Sequence, residues 1–250
     1  MSPDEPIGLS IFLPVFNEAE NVGPVIRAAL EVAPSICPAY EVIVVDDGSS
    51  DATEAVVREL ASRNAAVRYV PHPRNRGYGA AIKTGLQSAR YSYVFFTDGD
   101  GQFYLTELPG FVRPILDGEA DVMIGYRNPR RDPLFRGIAG KCWCLLVRVV
   151  LGLRARDVDC AFKAMRTALV RGMALETEGA CISAELLCQL ELMGCRIVER
   201  PVKHRPRLRG KATGGNPRVI LRAFRELYYL SHAVARLRKT GARSDRVRGS

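Results

Sequence analysis

Asp98 and Asp100, separated by Gly99, place two carboxylates one residue apart directly after the apolar run 93–97. Carboxylates so spaced on a turn converge on a hard divalent cation that fills its other positions with water and phosphate oxygens. Gln102, two residues on, adds a ligand or orients one. The same Asp-Gly-Asp pattern also occurs in ordinary turns, so its company decides. Asn17-Glu18 follows one apolar run, and Asp46-Asp47 follows another, residues 41–45. A carboxylate at 46 or 47 can accept hydrogen bonds from a base or a ribose; a helix cap with a solvated turn is the plainer alternative. Acids gathered in this way at one edge repel one another unless a cation or ligand compensates. That favours a binding site.

These residues meet only if the chain builds a sheet that lines them up. The first half alternates short β-rich runs with helical patterns, which predicts an α/β fold with a mostly parallel sheet and crossover helices. Strands are expected at 9–15, 41–46, 67–71, 93–97 and 121–124, with helices at 18–32, 51–63, 79–89 and 105–117. Asp51 is the expected N-cap of the second helix. In open α/β sheets ligands bind beyond the carboxyl ends of the strands, where all three acidic motifs fall. Further on, helices are expected at 136–153 and 181–193, a strand at 196–199 and a helix at 219–237. That last helix carries Ile220, Phe224, Leu227, Ser231 and Val234 on one stripe, with Arg218, Arg222, Arg225 and Arg236 elsewhere. The Pro-, Gly- and Arg-rich stretch 204–217 reads as a mobile loop, and 241–250 as a disordered tail. The expected division is a catalytic domain over 1–210 and a basic C-terminal part over 211–250.

Bulk properties narrow the classes. A chain of 250 residues buries one substantial core. The N-terminal stretch carries acids where a signal peptide carries positive charge, and the longest greasy stretch, 142–153, is too short to span a bilayer. Seven cysteines with no Cys-x-x-Cys pair suit reduced thiols in the cytoplasm. Cys142 and Cys144 lack a nearby His and read as core rather than as metal ligands. From Arg196 to Ser250 there are 16 Lys or Arg against three acids, so the net +9 of the chain is a C-terminal property. A phosphate-rich partner belongs there.

Four motifs in order, LPVFNEAENV, VIVVDDGSSDAT, NRGYGAAIKTGL and FFTDGDGQF, closely resemble glycosyltransferase family 2, in particular its dolichol- or polyprenol-phosphate mannosyltransferase branch. The resemblance covers residues 9–209. It implies a GT-A fold, a nucleotide-sugar donor, Mg²⁺ or Mn²⁺, and inversion at the anomeric carbon. By motif, it implies that Pro14, Phe16, Glu18, Asp46 and Asp47 grip the nucleoside. Asn75, Gly77 and Ala80 then line the donor cleft, and Asp98, Asp100 and Gln102 bind metal and diphosphate. Arg127, in a Gly-x-Arg stretch, is implied to contact diphosphate or acceptor phosphate. Ala161 stands where the family has Gly and Lys163 where it has Arg. Glu185 aligns with a family glutamate at the site floor, and Arg207 and Lys211 resemble basic residues of a loop over the phosphates.

The acceptor decides the mechanism. A hydroxyl acceptor of a cell-wall glycan or small molecule needs a general base, with Asp159 and Glu185 as candidates. A polyprenyl phosphate is already an anion and needs a clamp, which Arg127, Arg130, Arg131, Lys163, Arg205, Arg207 and Lys211 supply. Transfer from GDP-mannose or a UDP-hexose to polyprenyl phosphate is the favoured reading. The helix around 140–153 and the C-terminal helix could lie in the headgroup region of an anionic inner membrane face, or pack on protein instead. Nucleotidyl transfer lacks its usual Gly-rich basic loop here, and a dehydrogenase lacks Gly-x-Gly-x-x-Gly. A basic nucleic-acid-binding module is disfavoured by the acids at the sheet edge, so no nucleic-acid partner is expected.

Overall fold

The structure, a computed structural model, describes residues 7–128, 134–207, 209 and 217–248. Seven strands form one sheet: β1 (Leu9–Val15), β2 (Tyr40–Asp46), β3 (Val67–Pro71), β4 (Tyr93–Thr97), β5 (Val122–Arg127), β6 (Phe162–Arg166) and β7 (Ile197–Val202). Their order is β3-β2-β1-β4-β6-β5-β7, parallel except that β6 runs antiparallel to both β4 and β5. The helices are α1 (Ala19–Val32), α2 (Thr53–Arg63), α3 (Tyr78–Ser88), α4 (Pro109–Leu116), α5 (Leu134–Leu151), α6 (Thr167–Val170), α7 (Ile182–Leu192) and α8 (Pro217–Arg248). Every residue of β1 is buried, as are six of the seven in β2. Helices on both faces demand such unbroken apolar strands.

The core centres on aromatic rings. Phe12 stacks on Phe96 at 5.1 Å, and Phe162 meets Phe95 at 4.6 Å, Phe111 at 4.8 Å and Phe103 at 5.6 Å. Phe162 opens β6, the strand that the sequence pattern did not predict. Five residues with a lysine in second place show no alternation, because the strand is buried on both faces. Its Lys163 is fully buried, donating from Nζ to the carbonyls of Val158 (3.0 Å) and Cys160 and lying 5.7 Å above the Phe96 ring. Running antiparallel, β6 pairs Phe162 with Thr97 and so delivers 157–161 to the carboxyl end of β4.

Several expectations change. Ala52, not Asp51, stands at the N-cap of α2; Asp51 instead accepts from the N–H groups of Thr53 (2.9 Å) and Ala19 (3.1 Å), tying α2 to the start of α1. The expected helix at 105–117 is a 3₁₀ turn, Leu105–Glu107, followed by α4, with Pro at the latter's first position. On α8 the buried stripe is Ala223, Leu227, Leu230 and Val234, whereas Ile220 and Phe224 are exposed. Helix α8 also runs on to Arg248, through most of the expected disordered tail. Cys142 is exposed, because it lies off the face of α5 that buries Cys144.

Candidate active site

The loops after β1 and β2 lock onto each other. Asn17 has φ 56°, the only positive value on a described non-glycine residue, a conformation asparagine tolerates. Its N–H donates to Ser49 Oγ (2.8 Å), and its Oδ1 accepts from Ser50 N–H (2.8 Å). Glu18 N–H donates to Thr53 Oγ1 at 2.9 Å. The Asn-Glu and Asp-Asp-Gly-Ser motifs therefore form one rigid ledge at the sheet edge, with Phe16 half-buried and Pro14 buried beneath it.

Asp46 and Asp47 organise that ledge. Asp46 accepts from Ser49 N–H (2.9 Å), Ser49 Oγ (2.6 Å) and Tyr69 Oη (2.8 Å). Asp47 accepts from Arg76 N–H (3.0 Å) and Gly77 N–H (2.8 Å) and meets His72 Nδ1 at 2.7 Å. The loop bearing Asn75, which is exposed, is thereby fixed against β2. Gly77 has φ 109°, and a Cβ there would lie 2.5 Å from the Glu178 carbonyl. Ala80, in the first turn of α3, is buried.

Beside the ledge, Gly99 N–H donates to the Pro14 carbonyl at 3.3 Å, and a Cβ on Gly99 would collide with Val15. Glycine lets the turn rest on β1, with Asp100 within electrostatic reach of Glu18. Asp98 is pushed up to about 7 by burial and by Asp100, against the pull of Tyr78, Arg127 and Lys163. Burial also raises Asp100, opposed by Arg207 and Arg205, and raises Glu18, opposed by Asn21 and Arg207. Burial outweighs the nearby cations at these carboxylates, which suits a further positive charge, a divalent cation, at Asp98 and Asp100. Among the described residues no group of three or more His, Cys, Asp or Glu is placed to hold a metal unaided. Two carboxylates leave room for water and phosphate oxygens, the shell that Mg²⁺ takes. Gln102 gives its N–H to Asp100 Oδ1 (3.0 Å) and its Nε2 to the Arg205 carbonyl (3.0 Å), so it braces the turn and the basic segment together.

That segment lies over the acids. Arg207 Nη2 pairs with Glu18 Oε1, and Nη1 lies 3.6 Å from Asp100 Oδ2. Arg205 donates to the Gly101 carbonyl and sits 5.0 Å over the Tyr104 ring. Lys211, Arg130 and Arg131 lie outside the described residues.

On the other flank, Arg127 at the end of β5 makes two 2.7 Å bonds to Asp157. It lines a groove of about 250 Å³ with Tyr126, Lys141, Cys144, Leu145, Arg148, Arg156 and Asp157. The groove was not foreseen, since Lys141 and Arg148 on α5 are separated from Arg127 by many residues. Asp159 sits within electrostatic reach of Arg127, Lys163 and Tyr78. Lys163 points into the core, held by backbone carbonyls. Glu185 on α7 accepts from Glu176 N–H (2.7 Å), Thr177 N–H (2.8 Å) and Thr177 Oγ1 (2.6 Å). The loop it holds supplies the Glu178 carbonyl to Gly79 N–H at 2.8 Å, so Glu185 supports the start of α3. Tyr78, in the same motif as Gly77, hydrogen-bonds Asp98 and had no assigned role in the sequence.

A mixed sheet of this order with acids at its carboxyl edge defines a GT-A glycosyltransferase fold. The chain belongs to glycosyl transferase family 2, whose model matches residues 10–174. It is 33% identical over 178 residues to a dodecaprenyl-phosphate galacturonate synthase of Rhizobium johnstonii, covering 70% of this chain and 53% of the relative. It is 29% identical over 214 residues to an undecaprenyl-phosphate 4-deoxy-4-formamido-L-arabinose transferase of Edwardsiella ictaluri, covering 85% and 64%. The chain thus spans about half to two thirds of the length of these curated relatives. In fold it is similar to glucosyl-3-phosphoglycerate synthase of Mycobacterium tuberculosis in complex with UDP, with TM-score 0.68 and 21% identity over 90% of this chain and 80% of that one.

Proposed function

We propose that this chain transfers a hexosyl group from a nucleotide-sugar to polyprenyl phosphate at an anionic membrane surface, using Mg²⁺ or Mn²⁺ at Asp98 and Asp100. The cationic groove carries this reading. Arg127, Lys141, Arg148 and Arg156 surround it, and the buried Nε of Arg148 has no hydrogen-bond partner among the described residues. Arg127 joins it electrostatically to Asp98. Next to it, α5 exposes Leu145, Leu146, Val149 and Val150, and α8 exposes Leu221, Phe224, Tyr228 and Tyr229. Phosphate in the groove and an isoprenoid chain along that apolar face match the two halves of the acceptor. Among the described residues no helix is long and apolar enough to cross a membrane. The exposed apolar residues of α5 and α8 support contact through these amphipathic faces.

Asp98 and Asp100 would hold the divalent cation, which when bound would neutralise charge on the departing diphosphate. The ledge of Glu18, Asp46 and Asp47 positions the nucleoside, and Arg207 offers its guanidinium to the phosphates. The acceptor phosphate, clamped from Arg127, attacks the anomeric carbon through an oxygen as the bond to the diphosphate breaks. No side chain has to remove a proton. The names of the dodecaprenyl- and undecaprenyl-phosphate relatives support the acceptor, and Mycobacterium tuberculosis glucosyl-3-phosphoglycerate synthase with Mn²⁺ and UDP supports the cation and nucleotide.

The position of Asp159 beside Arg127 and Tyr78 favours one second reading, transfer to a hydroxyl with Asp159 as base. Purified protein incubated with Mn²⁺, polyprenyl phosphate and a panel of labelled nucleotide-sugars separates the two. Organic-extractable label with at least one donor is expected. Label found only in water-soluble product, or in none, overturns the lipid acceptor.

A further inference from the structure

Asn21, on the first turn of α1 and 9% exposed, has no part in the chemistry above. Its Nδ2 donates to Glu18 Oε2 at 2.7 Å and to the Arg209 carbonyl at 3.3 Å. Arg207 mirrors it, donating from Nη2 to Glu18 Oε1 and from Nε to the Arg209 carbonyl at 2.8 Å. Two donors and two acceptors therefore close a ring that joins α1 to the basic segment. Arg207 reaches beyond the ring, to Asp100.

We infer that Asn21 is a positioning residue which, with Glu18, parks Arg207 as the counter-charge of Asp100, so that Arg207 and a divalent cation compete for that carboxylate. The Asp100 and Arg207 side chains are only 11% and 18% exposed, so little water screens two cations brought together there. Coupling of this kind is reciprocal: what loosens the ring strengthens metal binding, and metal loosens the ring. The base of the segment has its own anchors, Arg205 N–H to the Gln102 carbonyl at 2.9 Å and Arg205 to the Gly101 carbonyl. Residues 207 and 209 can therefore part from α1 while 203–205 stay in place. Arg207, once displaced, becomes available to the donor's phosphates. The inference rests on the proposed cation at Asp98 and Asp100 and is independent of the acceptor.

The test uses Mn²⁺ alone, titrated into metal-free full-length protein and read from the electron paramagnetic resonance of the free ion. Arg207→Gln is expected to tighten Mn²⁺ binding about fivefold or more, the lower end of ordinary coupling. Asn21→Ala is expected to tighten it by less, and the double variant to match Arg207→Gln. Trypsin is expected to cut after Arg207 and Arg209 faster when Mn²⁺ is added to wild type, and equally fast without Mn²⁺ in Asn21→Ala. A merely structural role for either residue would weaken binding instead. Unchanged or weaker Mn²⁺ affinity in folded Arg207→Gln overturns the competition while leaving the metal site standing. Absence of binding by every protein, wild type included, removes the metal site and the competition together.

Discussion

Asp157 grips Arg127 through two parallel 2.7 Å bonds, holding a cation in the groove beside α5 and within electrostatic reach of Asp98. The pair raises Arg127 above its already high value, although burial opposes this. Asp157 is 8% exposed and reaches Arg127 only because β6 reverses direction. Removing one member of a buried pair strands the other, at a cost of about 3–5 kcal/mol. Asp157→Ala is therefore expected to lower the urea midpoint clearly and to raise the KM for acceptor more than that for donor. Equal stability to wild type would show that Arg127 needs no such partner.

Asp98 makes stability depend on pH. Its folded value of about 7 lies above the ordinary 3.8, so between those values the folded chain keeps a proton that the unfolded chain releases. Stability from this group is complete below the ordinary value and declines as pH rises through about 7. In metal-free buffer, Asp98→Asn is expected to flatten the fall in urea midpoint between pH 5 and pH 8. An identical fall in both proteins would locate the effect elsewhere.

Asp100→Ala is expected to abolish Mn²⁺ binding and transfer while leaving the circular dichroism spectrum intact. Deleting a buried carboxylate next to Asp98 relieves repulsion, so the melting temperature should hold or rise. Full activity in this variant, or in excess EDTA, would take the metal role away.

Glu185 accepts three hydrogen bonds from the loop at 176–177, and bonds to charged groups contribute about 1.5–3 kcal/mol each. Glu185→Ala is expected to be strongly destabilised yet to retain transfer to lipid phosphate when assayed below its melting temperature. Total loss of turnover in the folded variant would favour Glu185 as a base. Gly77→Ala is expected to be destabilised by about 1–3 kcal/mol, because φ 109° and the Glu178 carbonyl both oppose a side chain.

For the apolar face, Val149→Glu and Leu221→Glu place charges at positions 72% and 73% exposed. Both are expected to leave the fold unchanged and to weaken sedimentation with vesicles rich in anionic lipid. Retained sedimentation at low and high salt would point to another face.

By itself, the sequence determined the order of strands and crossover helices in the first half and the placing of three acidic motifs at strand ends. Buried parallel strands are continuous apolar runs bounded by polar turns, and such local patterns survive without tertiary information. Tertiary structure alone decided the rest. Strand β6 has no readable period, because both of its faces are buried, Lys163 included. The α8 stripe shifted from Ile220 and Phe224 to Ala223 and Leu230, because packing on α5 and α7 rotates the buried face. That Asp47 accepts from the N–H groups of Arg76 and Gly77, and Glu185 from those of Glu176 and Thr177, is likewise visible only in the fold. The same holds for the ring of Asn21, Glu18, Arg207 and the Arg209 carbonyl. Its hydrogen-bonded members lie up to 189 residues apart, and only folding brings them within reach.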